Sequence, residues 1–258
     1  MRLAAVRGEA VCQAAMRMHH RRVRQEEVST VTSTAQVPPG SALVILGAGR
    51  QALETAGYCG ELGYDVTYFV EERPLVVTSG KPRDESQFGA PIVGFTEFLA
   101  NARGLPAITA VGSAEVRRRF VDLSQRGEFL TVVSPHAWLA GDVTCGPGTT
   151  VAPRACLNRF VRIGAHVLVN VAAVLSHHVS VGDYVTISPG CLIGGGAEIE
   201  DEAFLGIGST IREDIRVGRG AMVGAGAVVV KDVPAGRTVV GVPARPLEHH
   251  HPSDGERS

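Results

Sequence analysis

The feature that most constrains this chain is a six-residue repeat that runs through residues 139–234 without an insertion. The first residue of each hexad is Leu, Ile or Val, except for Cys145, itself a residue type that is commonly buried. The fifth residue is mostly small or β-branched, and the second is often Gly. Such a repeat takes precedence over local propensities, because each unit can bury its apolar positions only by stacking on its neighbours.

Two inward positions in every six residues suit a short strand followed by a turn. Three such strands close a triangular coil of eighteen residues, and coils stack at about 4.8 Å, the spacing of neighbouring strands. The aliphatic first positions then form continuous rows, one of which is Leu139, Leu157, Leu175, Ile193, Ile211 and Val229. The sequence therefore predicts a parallel β-helix over residues 136–247. An antiparallel sandwich, the alternative, would show period-two alternation and loops of variable length.

Residues 41–135 show the alternation of strands and helices that is typical of a small Rossmann-like α/β domain with a parallel sheet. Buried strands are predicted at SALVIL, DVTYFV and PAITAV, a short strand or turn at APIVG and a closing strand at FLTVV. Ligands of such sheets bind beyond the carboxyl ends of the strands. The candidate ligand-binding residues at those ends are Gly47, Gly49, Arg50, Gln51, Glu71, Glu72 and Gly112.

The glycine turn at residues 47–49 does not complete a GxGxxG pattern, because Arg50, Gln51 and Ala52 follow Gly49. We therefore predict no NAD site. Glycines at a helix N-terminus still allow a phosphate to approach closely. A tight strand-to-helix turn without any ligand is the alternative interpretation.

Composition limits the remaining possibilities. The formal net charge is −1, which gives no bias toward nucleic acid or membranes. No run approaches the length of roughly 18 apolar residues that a membrane span needs. The five cysteines show no paired spacing, so we expect reduced thiols, no metal cluster and a cytoplasmic protein. Residues 1–40 are expected to be a disordered extension, and residues 248–258 a flexible tail.

The hexads, together with VGVPARPL at 240–247, resemble the hexapeptide-repeat acyltransferases, whose fold is a left-handed parallel β-helix. A Rossmann-like domain placed before the hexads is similar to the sialic-acid O-acetyltransferase and UDP-amino-sugar N-acetyltransferase family, over about residues 41–247. This resemblance implies an acetyl-CoA-dependent enzyme whose first domain holds the acceptor sugar or its nucleotide. It also implies a homotrimer with active sites between neighbouring β-helices. Arg50 and Gln51, and the acids Glu71 and Glu72, depart from the family's usual residues.

The segment VLSHHVSVGD places His177 on the family's catalytic base, and Asn170 matches a further family position. Independently of the resemblance, His177 occupies the third position of its hexad, which should point outward. Gly195 lies eighteen residues later and therefore one coil above. A base and a backbone N–H donor for an oxyanion are thus predicted to be neighbours. His178 stands where the family usually has an acid, and it could serve only as a neutral hydrogen-bond acceptor.

The neighbouring row contains Asn170, Ser188, Gly206 and Gly224, and its small residues predict a groove for a thin chain such as pantetheine. Replacing Gly206 by Leu is expected to weaken CoA binding without loss of the fold. The resemblance adds further cofactor-binding candidates: Thr186, Ile207, Ala225, Lys231, Pro243 and Arg245. We predict no metal, because His166, His177 and His178 do not match the zinc spacing of γ-type carbonic anhydrases. His166 and His136 are interpreted as structural.

Three functional hypotheses remain open at this point. The first is acetyl transfer to an amine or hydroxyl of a sugar or nucleotide sugar, with His177 as general base and direct attack on the thioester. The second keeps the CoA site but has a non-sugar acceptor. The third is a non-catalytic β-helix binding protein, for which His178 in place of the acid is the best support.

Overall fold

The computed structural model describes residues 38, 40–72, 84–102 and 104–247. The predicted extension at 1–40, apart from residues 38 and 40, and the predicted tail at 248–258 lie outside the described residues. None of the described helices is both long enough and apolar enough to cross a membrane.

The first part of the chain is a parallel sheet of four strands with helices on both sides, as the alternating pattern predicted. Its elements are β1 (Ala42–Leu46), α1 (Arg50–Glu61), β2 (Asp65–Glu71), a 3₁₀ helix (Glu85–Phe88), β3 (Ile92–Gly94), α2 (Phe95–Asn101), β4 (Ala107–Thr109) and α3 (Ala114–Ser124). The strand order is β3-β2-β1-β4. Alternate residues of β1 face opposite sides of the sheet. Leu43 and Ile45 pack toward α1, whereas Val44 and Leu46 pack toward α2 and α3.

The second part is a left-handed parallel β-helix of two- and three-residue strands arranged as three faces. The first face consists of β6 (Trp138–Leu139), β9 (Cys156–Leu157), β12 (Val174–Leu175), β15 (Leu192–Ile193), β18 (Thr210–Ile211) and β21 (Val228–Val229). The second face consists of β7 (Thr144–Cys145), β10 (Arg162–Ile163), β13 (Ser180–Val181), β16 (Glu198–Ile199) and β19 (Arg216–Val217). The third face consists of β5 (Val132–Val133), β8 (Thr150–Val151), β11 (Leu168–Val169), β14 (Thr186–Ile187), β17 (Phe204–Leu205), β20 (Met222–Val223), β22 (Thr238–Val240) and β23 (Arg245–Pro246).

The strand register confirms the predicted coil length. Within a face each hexad strand pairs with the strand eighteen residues later, as Val174 does with Leu192 and Leu192 with Thr210. The first hexad positions point inward, and Leu157, Leu175 and Ile193 are almost completely buried in one continuous core. One strand assignment was wrong. FLTVV was predicted to close the α/β sheet, but its Val132–Val133 pairs with Thr150–Val151 and starts the third face.

The turns between faces define three corners, which we name after one residue of each: the His177 corner (first to second face), the His166 corner (second to third) and the Asn170 corner (third to first). The fourth hexad position at these corners often adopts a left-handed backbone whatever its residue type. Examples are Phe160 at φ 63°, His178 at φ 61° and Glu202 at φ 62°. The repeat, more than the local side chain, therefore sets this conformation.

Arg117 of α3 joins the α/β sheet to the β-helix. Its side chain is fully buried, and its guanidinium donates to the carbonyl oxygens of His166 at 2.9 Å and Val185 at 3.2 Å on the β-helix. On its own side it donates to Val111 at 2.6 Å and Gly112 at 3.1 Å. Burial lowers the pKa of Arg117 to about 10. A charged side chain thus fixes the loop after β4 against the third face.

Candidate active site

His177 and His178 lie at the His177 corner, just after β12. Hydrogen bonds to the coils below and above hold the turn: the His178 N–H donates to the Arg159 carbonyl oxygen at 3.0 Å, and the Gly196 N–H donates to the His177 carbonyl oxygen at 2.9 Å. The backbone of this segment is therefore fixed by the same ladder that builds the β-helix. Both imidazoles are exposed, as predicted for His177 from its third hexad position.

The imidazole of His177 lies directly against the Cα of Gly195, one coil above. A Cβ added to Gly195 would lie 2.5 Å from Cε1 and 2.9 Å from Nε2 of His177. Any side chain at position 195 would therefore displace the ring. The structure thus brings together the histidine and the glycine that the eighteen-residue period paired.

The amide of Gly195 differs from its counterparts at the His166 corner. There the N–H of Ala165 donates to Asp183 Oδ1 at 2.7 Å, and the N–H of Asp183 donates to Asp201 Oδ1 at 3.0 Å. Within the part of the chain that the structure describes, no carboxylate caps the Gly195 N–H in this way. The Gly195 N–H, which lies next to a histidine, is thus not closed by a carboxylate, and a backbone donor in such a place is the kind of group that can stabilise a developing oxyanion.

Both histidines line an open pocket of about 360 Å³ together with Gly195, Gly196, Glu213 and Asp214. The two rings are in hydrogen-bond contact, with 3.1 Å between His177 Nδ1 and His178 Nδ1. Sequence analysis missed Glu213 and Asp214. The repeat contained the signal, because these acids lie thirty-six residues after His177 and His178, which is two coils.

The predicted CoA row lies elsewhere in the single chain. Asn170, Ser188, Gly206 and Gly224 occupy the Asn170 corner, which follows the third face, whereas His177 follows the first. Asn170 and Ser188 are buried, and the Asn170 side-chain amide donates to the carbonyl oxygen of Ile187 at 3.0 Å. One chain therefore does not bring Asn170 and this row to the pocket of His177.

The expectation that Gly206→Leu would leave the fold intact is wrong. A Cβ at Gly206 would lie 2.6 Å from the backbone nitrogen of Ala225 and 2.7 Å from the carbonyl oxygen of Val223. Both atoms belong to the backbone of the next coil and cannot rotate away. Gly206 is needed for the stacking of the coils, so a large side chain there would disturb the β-helix. The variant could therefore not show whether this row forms a groove that binds CoA.

The other cofactor-binding candidates fall into three groups. Thr186 is buried against the α/β domain, and its hydroxyl donates to the Gly112 carbonyl oxygen at 2.9 Å. Lys231 is exposed and occupies the same third-position column as His177, Gly195 and Glu213. The remaining candidates are exposed at the Asn170 corner or in the segment after it: Ile207, Ala225, Pro243 and Arg245.

The acceptor-binding candidates meet at the carboxyl edge of the α/β sheet, where β1, β2 and β4 end side by side. Gly47 has φ 136° and no room for a Cβ, which would lie 2.6 Å from the Ala110 carbonyl oxygen. Gly49 begins α1 with no side-chain cap, and Arg50 follows it, exposed. The other candidates at this edge are Gln51, Glu71, Glu72 and Gly112. Glu71 is buried, and Glu72 forms an ion pair with Arg119.

This edge is anchored to the third face and the His166 corner by Thr186 and Arg117, away from the His177 corner. His166 itself is buried there, stacked on Tyr184 with ring centroids 5.0 Å apart and edge-on to Phe129. Burial, assisted by the neighbouring Arg117, lowers the pKa of His166 to about 4. In the described ranges, no group of three His, Cys, Asp or Glu side chains is arranged to hold a metal ion.

The uninterrupted six-residue repeat and its three-faced β-helix define the class of protein, a hexapeptide-repeat transferase. Residues 196–231 match the family described as bacterial transferase hexapeptide (six repeats). Comparison with curated proteins gave no match.

Solved structures extend the similarity to most of the chain. The acetyltransferase domain of PglB from Neisseria gonorrhoeae FA1090 is 30% identical, with a TM-score of 0.70 over 81% of this chain and 100% of that chain. PerB from Caulobacter crescentus is 26% identical, with a TM-score of 0.71 over 83% and 100%. WeeI from Acinetobacter baumannii AYE is 26% identical, with a TM-score of 0.62 over 80% and 99%. The chain belongs to the hexapeptide-repeat sugar acyltransferases, and it is an acyltransferase enzyme.

Proposed function

We propose that this enzyme transfers an acetyl group from acetyl-CoA to an amine or hydroxyl of a nucleotide-linked sugar, with His177 as general base. The observation that carries the proposal is the His177 ring lying on Gly195 in an open pocket. The relatives support the substrates. The PglB domain has been solved in complex with acetyl coenzyme A, and PerB in complex with CoA and GDP-perosamine.

The residues suggest direct transfer without a covalent enzyme intermediate. His177 Nε2 removes a proton from the acceptor as its nitrogen or oxygen attacks the thioester carbonyl carbon. The Gly195 N–H donates to the oxyanion that forms on that carbonyl. The C–S bond then breaks, the CoA sulfur leaves as a thiol with the proton that His177 carried, and the new amide or ester remains on the acceptor. General acid–base catalysis of this kind contributes about 10²–10⁴-fold to the rate.

The donor is proposed to lie along the third-position column of the His177 corner. Lys231 stands three coils above His177, roughly 14 Å at the spacing of stacked strands. An extended pantetheine arm spans a distance of this order, which would bring Lys231 to the phosphates while the thioester reaches His177. Ile207, Ala225, Pro243 and Arg245 are proposed to complete the donor site from the Asn170 corner of a neighbouring chain.

We infer that the enzyme is a homotrimer, and the first face supports this. Its outward residues are largely apolar and include Trp138, 55% exposed, and Leu192, 48% exposed, with Val174 and Val228 beside them. A shallow pocket between Val174, Leu192 and Val228 adjoins this face. The outward residues of the second face are polar or charged: Thr144, Arg162, Ser180, Glu198 and Arg216.

Light scattering on the purified enzyme tests the trimer, and the expected mass is three times that of the chain. A stable, fully active monomer would contradict a site shared between neighbouring chains. Trp138→Ser together with Leu192→Ser should shift the mass toward the monomer and lower activity in parallel, because both substitutions remove apolar area from the proposed interface.

The acceptor is proposed to bind at the carboxyl edge of the α/β sheet. The N-terminus of α1, which has no side-chain cap, and the exposed Arg50 beside it suit a phosphate group, since N–H donors and a cation are close in sequence there. Glu71, Glu72 and Gly112 are proposed to contact the sugar or nucleoside. Because the anchored edge lies away from the chain's own His177, it would serve the histidine of a neighbouring chain. Within the described residues Cys59, Cys145, Cys156 and Cys191 are free thiols, which supports our proposal that the enzyme is cytoplasmic.

An acceptor panel tests the proposed function. CoA release is measured with acetyl-CoA and three matched acceptor sets: nucleotide-linked amino sugars, the same sugars without nucleotide, and simple non-sugar amines. We expect turnover with a nucleotide-linked sugar at a much lower KM than with the free sugar, and Arg50→Ala should abolish that difference. Equal turnover of simple amines would contradict the sugar assignment and favour a non-sugar acceptor.

A further inference from the structure

We propose that His178 is a positioning residue that fixes the tautomer of His177 and makes the enzyme sensitive to a second proton. The inference rests on His177 being the general base, as proposed above. Its starting point is the contact of 3.1 Å between the two Nδ1 atoms. Two neutral imidazoles can share this hydrogen bond only if one Nδ1 carries hydrogen and the other presents its lone pair.

The direction of that bond decides whether His177 can act. If His177 Nδ1–H donates to His178 Nδ1, the lone pair of His177 is on Nε2, the atom beside Gly195. The opposite direction would put the hydrogen on His177 Nε2 and block proton removal from an acceptor. In the productive direction the bond survives catalysis, because a protonated His177 still donates from Nδ1 to the same lone pair.

The ring of His178 is held in place by its surroundings. Phe160, one coil below, packs against it with centroids 4.7 Å apart and an interplanar angle of 39°. The Arg159 guanidinium lies 5.0 Å from the centroid of Phe160 and pairs with Asp142 at 2.9 Å. A ring fixed in this way can present Nδ1 to His177 without searching among rotamers.

A histidine in this role differs from a carboxylate in one respect. A carboxylate remains an acceptor while His177 gains and loses its proton, but a protonated His178 has hydrogen on both ring nitrogens and can no longer accept. Two protons can therefore inactivate the pair, one on each ring. The charged groups that face the pair are Glu213 and Asp214 across the pocket, and the Arg159–Asp142 pair behind Phe160.

The consequence is a steep acid limb. The logarithm of kcat/KM should fall with a slope approaching two as pH decreases. A base that is held by a non-titrating acceptor would give a slope of one. Two substitutions separate these cases. His178→Asn places an amide oxygen near the position of Nδ1 but cannot titrate, and His178→Phe keeps the aromatic packing but has no acceptor. The turn tolerates such residues, since Phe160 occupies the equivalent position at φ 63°.

The experiment is the pH profile of kcat/KM, with kcat and KM measured separately, for the wild type, both His178 variants and His177→Ala. We expect His178→Asn to keep most of the rate with an acid slope of one. His178→Phe should lose about 10- to 100-fold in kcat, as is common when the partner that orients a functional histidine is removed, with KM little changed.

Two outcomes would overturn the proposal: full kcat in His178→Phe, or an unchanged acid slope of two in His178→Asn. Thermal unfolding of each variant shows whether a loss of rate reflects the fold. Beyond those two outcomes, an equal loss of rate in both His178 variants at normal stability is a third result that contradicts a role as acceptor. His177→Ala keeps the two proposals distinct. Its activity decides whether His177 is the base, whatever the His178 variants show.

Discussion

At the scale of single residues, one glycine explains why the His177 corner can be a site. Equivalent corners close their third-position amides with the carboxylates of Asp183 and Asp201. Gly195 has no side chain, so the histidine of the coil below can lie on it, and among the described residues no carboxylate caps its N–H. The proposed base and the proposed oxyanion donor thus meet where the repeat has a glycine at the third hexad position.

Gly195→Ala should therefore disable the chemistry while keeping the fold. The new Cβ would lie 2.5 Å from the His177 ring, a side chain that can move aside. Displacing a catalytic group by about 1 Å costs on the order of 10²-fold, so kcat should fall by about that factor with the acetyl-CoA affinity little changed. Gly141→Ala is the matched control, because Gly141 holds the same hexad position and a Cβ there meets nothing within 4 Å. Wild-type kcat in Gly195→Ala would refute the proposed geometry.

At the scale of elements, glycines at the second and third hexad positions have different neighbours. Third-position Gly195 faces a side chain, whereas second-position glycines such as Gly146 and Gly206 face the backbone of the next coil. Only the second-position glycines limit how closely the coils stack. A small residue in a repeat is thus not by itself evidence of a ligand groove.

Gly206→Ala should lower stability for this reason. A single methyl group would press on the backbone of Ala225 and Val223, and overpacking of this kind costs about 1–3 kcal/mol. Chemical denaturation of Gly206→Ala and Gly141→Ala compares a crowded with an open position. Equal unfolding free energies of the two variants would show that the coils yield more easily than their geometry indicates.

At the scale of the whole molecule, the α/β domain and the β-helix are joined by buried polar groups rather than by apolar contacts alone. Arg117 donates to carbonyl oxygens on both sides, and His166 packs in the same region between Tyr184 and Phe129. This junction fixes the carboxyl edge of the α/β sheet relative to the third face, away from the His177 corner.

The junction should weaken in acid. The pKa of His166 is lowered from 6.5 to about 4 by burial and by Arg117, so the unfolded chain binds a proton that the folded chain does not. The stabilising effect is complete above about pH 6.5 and is lost as pH falls toward 4, by about 3 kcal/mol in total. Urea unfolding between pH 7 and 4 measures it. His166→Phe should flatten the curve over this range, while the exposed His136→Ala should not, and parallel curves for all three proteins would contradict the assignment.

The sequence predicted what the repeat controls and missed what depends on docking. Coil length, the inward rows and the contact of His177 with Gly195 all follow from a period of eighteen residues, because residues eighteen positions apart lie next to each other in adjacent coils. The burial of Thr186 and Arg117 does not follow from the period, since both residues become buried only when α3 packs on the third face. For the same reason FLTVV was assigned to the wrong sheet.

The central claim is that His177 is the base of an acetyl transfer, and single-turnover kinetics of His177→Ala tests it most directly. Acetylated acceptor is quantified by mass spectrometry, and acetyl-CoA affinity is measured by calorimetry, with His136→Ala as the control histidine. We predict a rate lower by about 10²–10⁴-fold in His177→Ala, unchanged acetyl-CoA affinity, and a wild-type rate in His136→Ala. A near-normal rate of acetyl transfer by His177→Ala with its best acceptor would contradict the account.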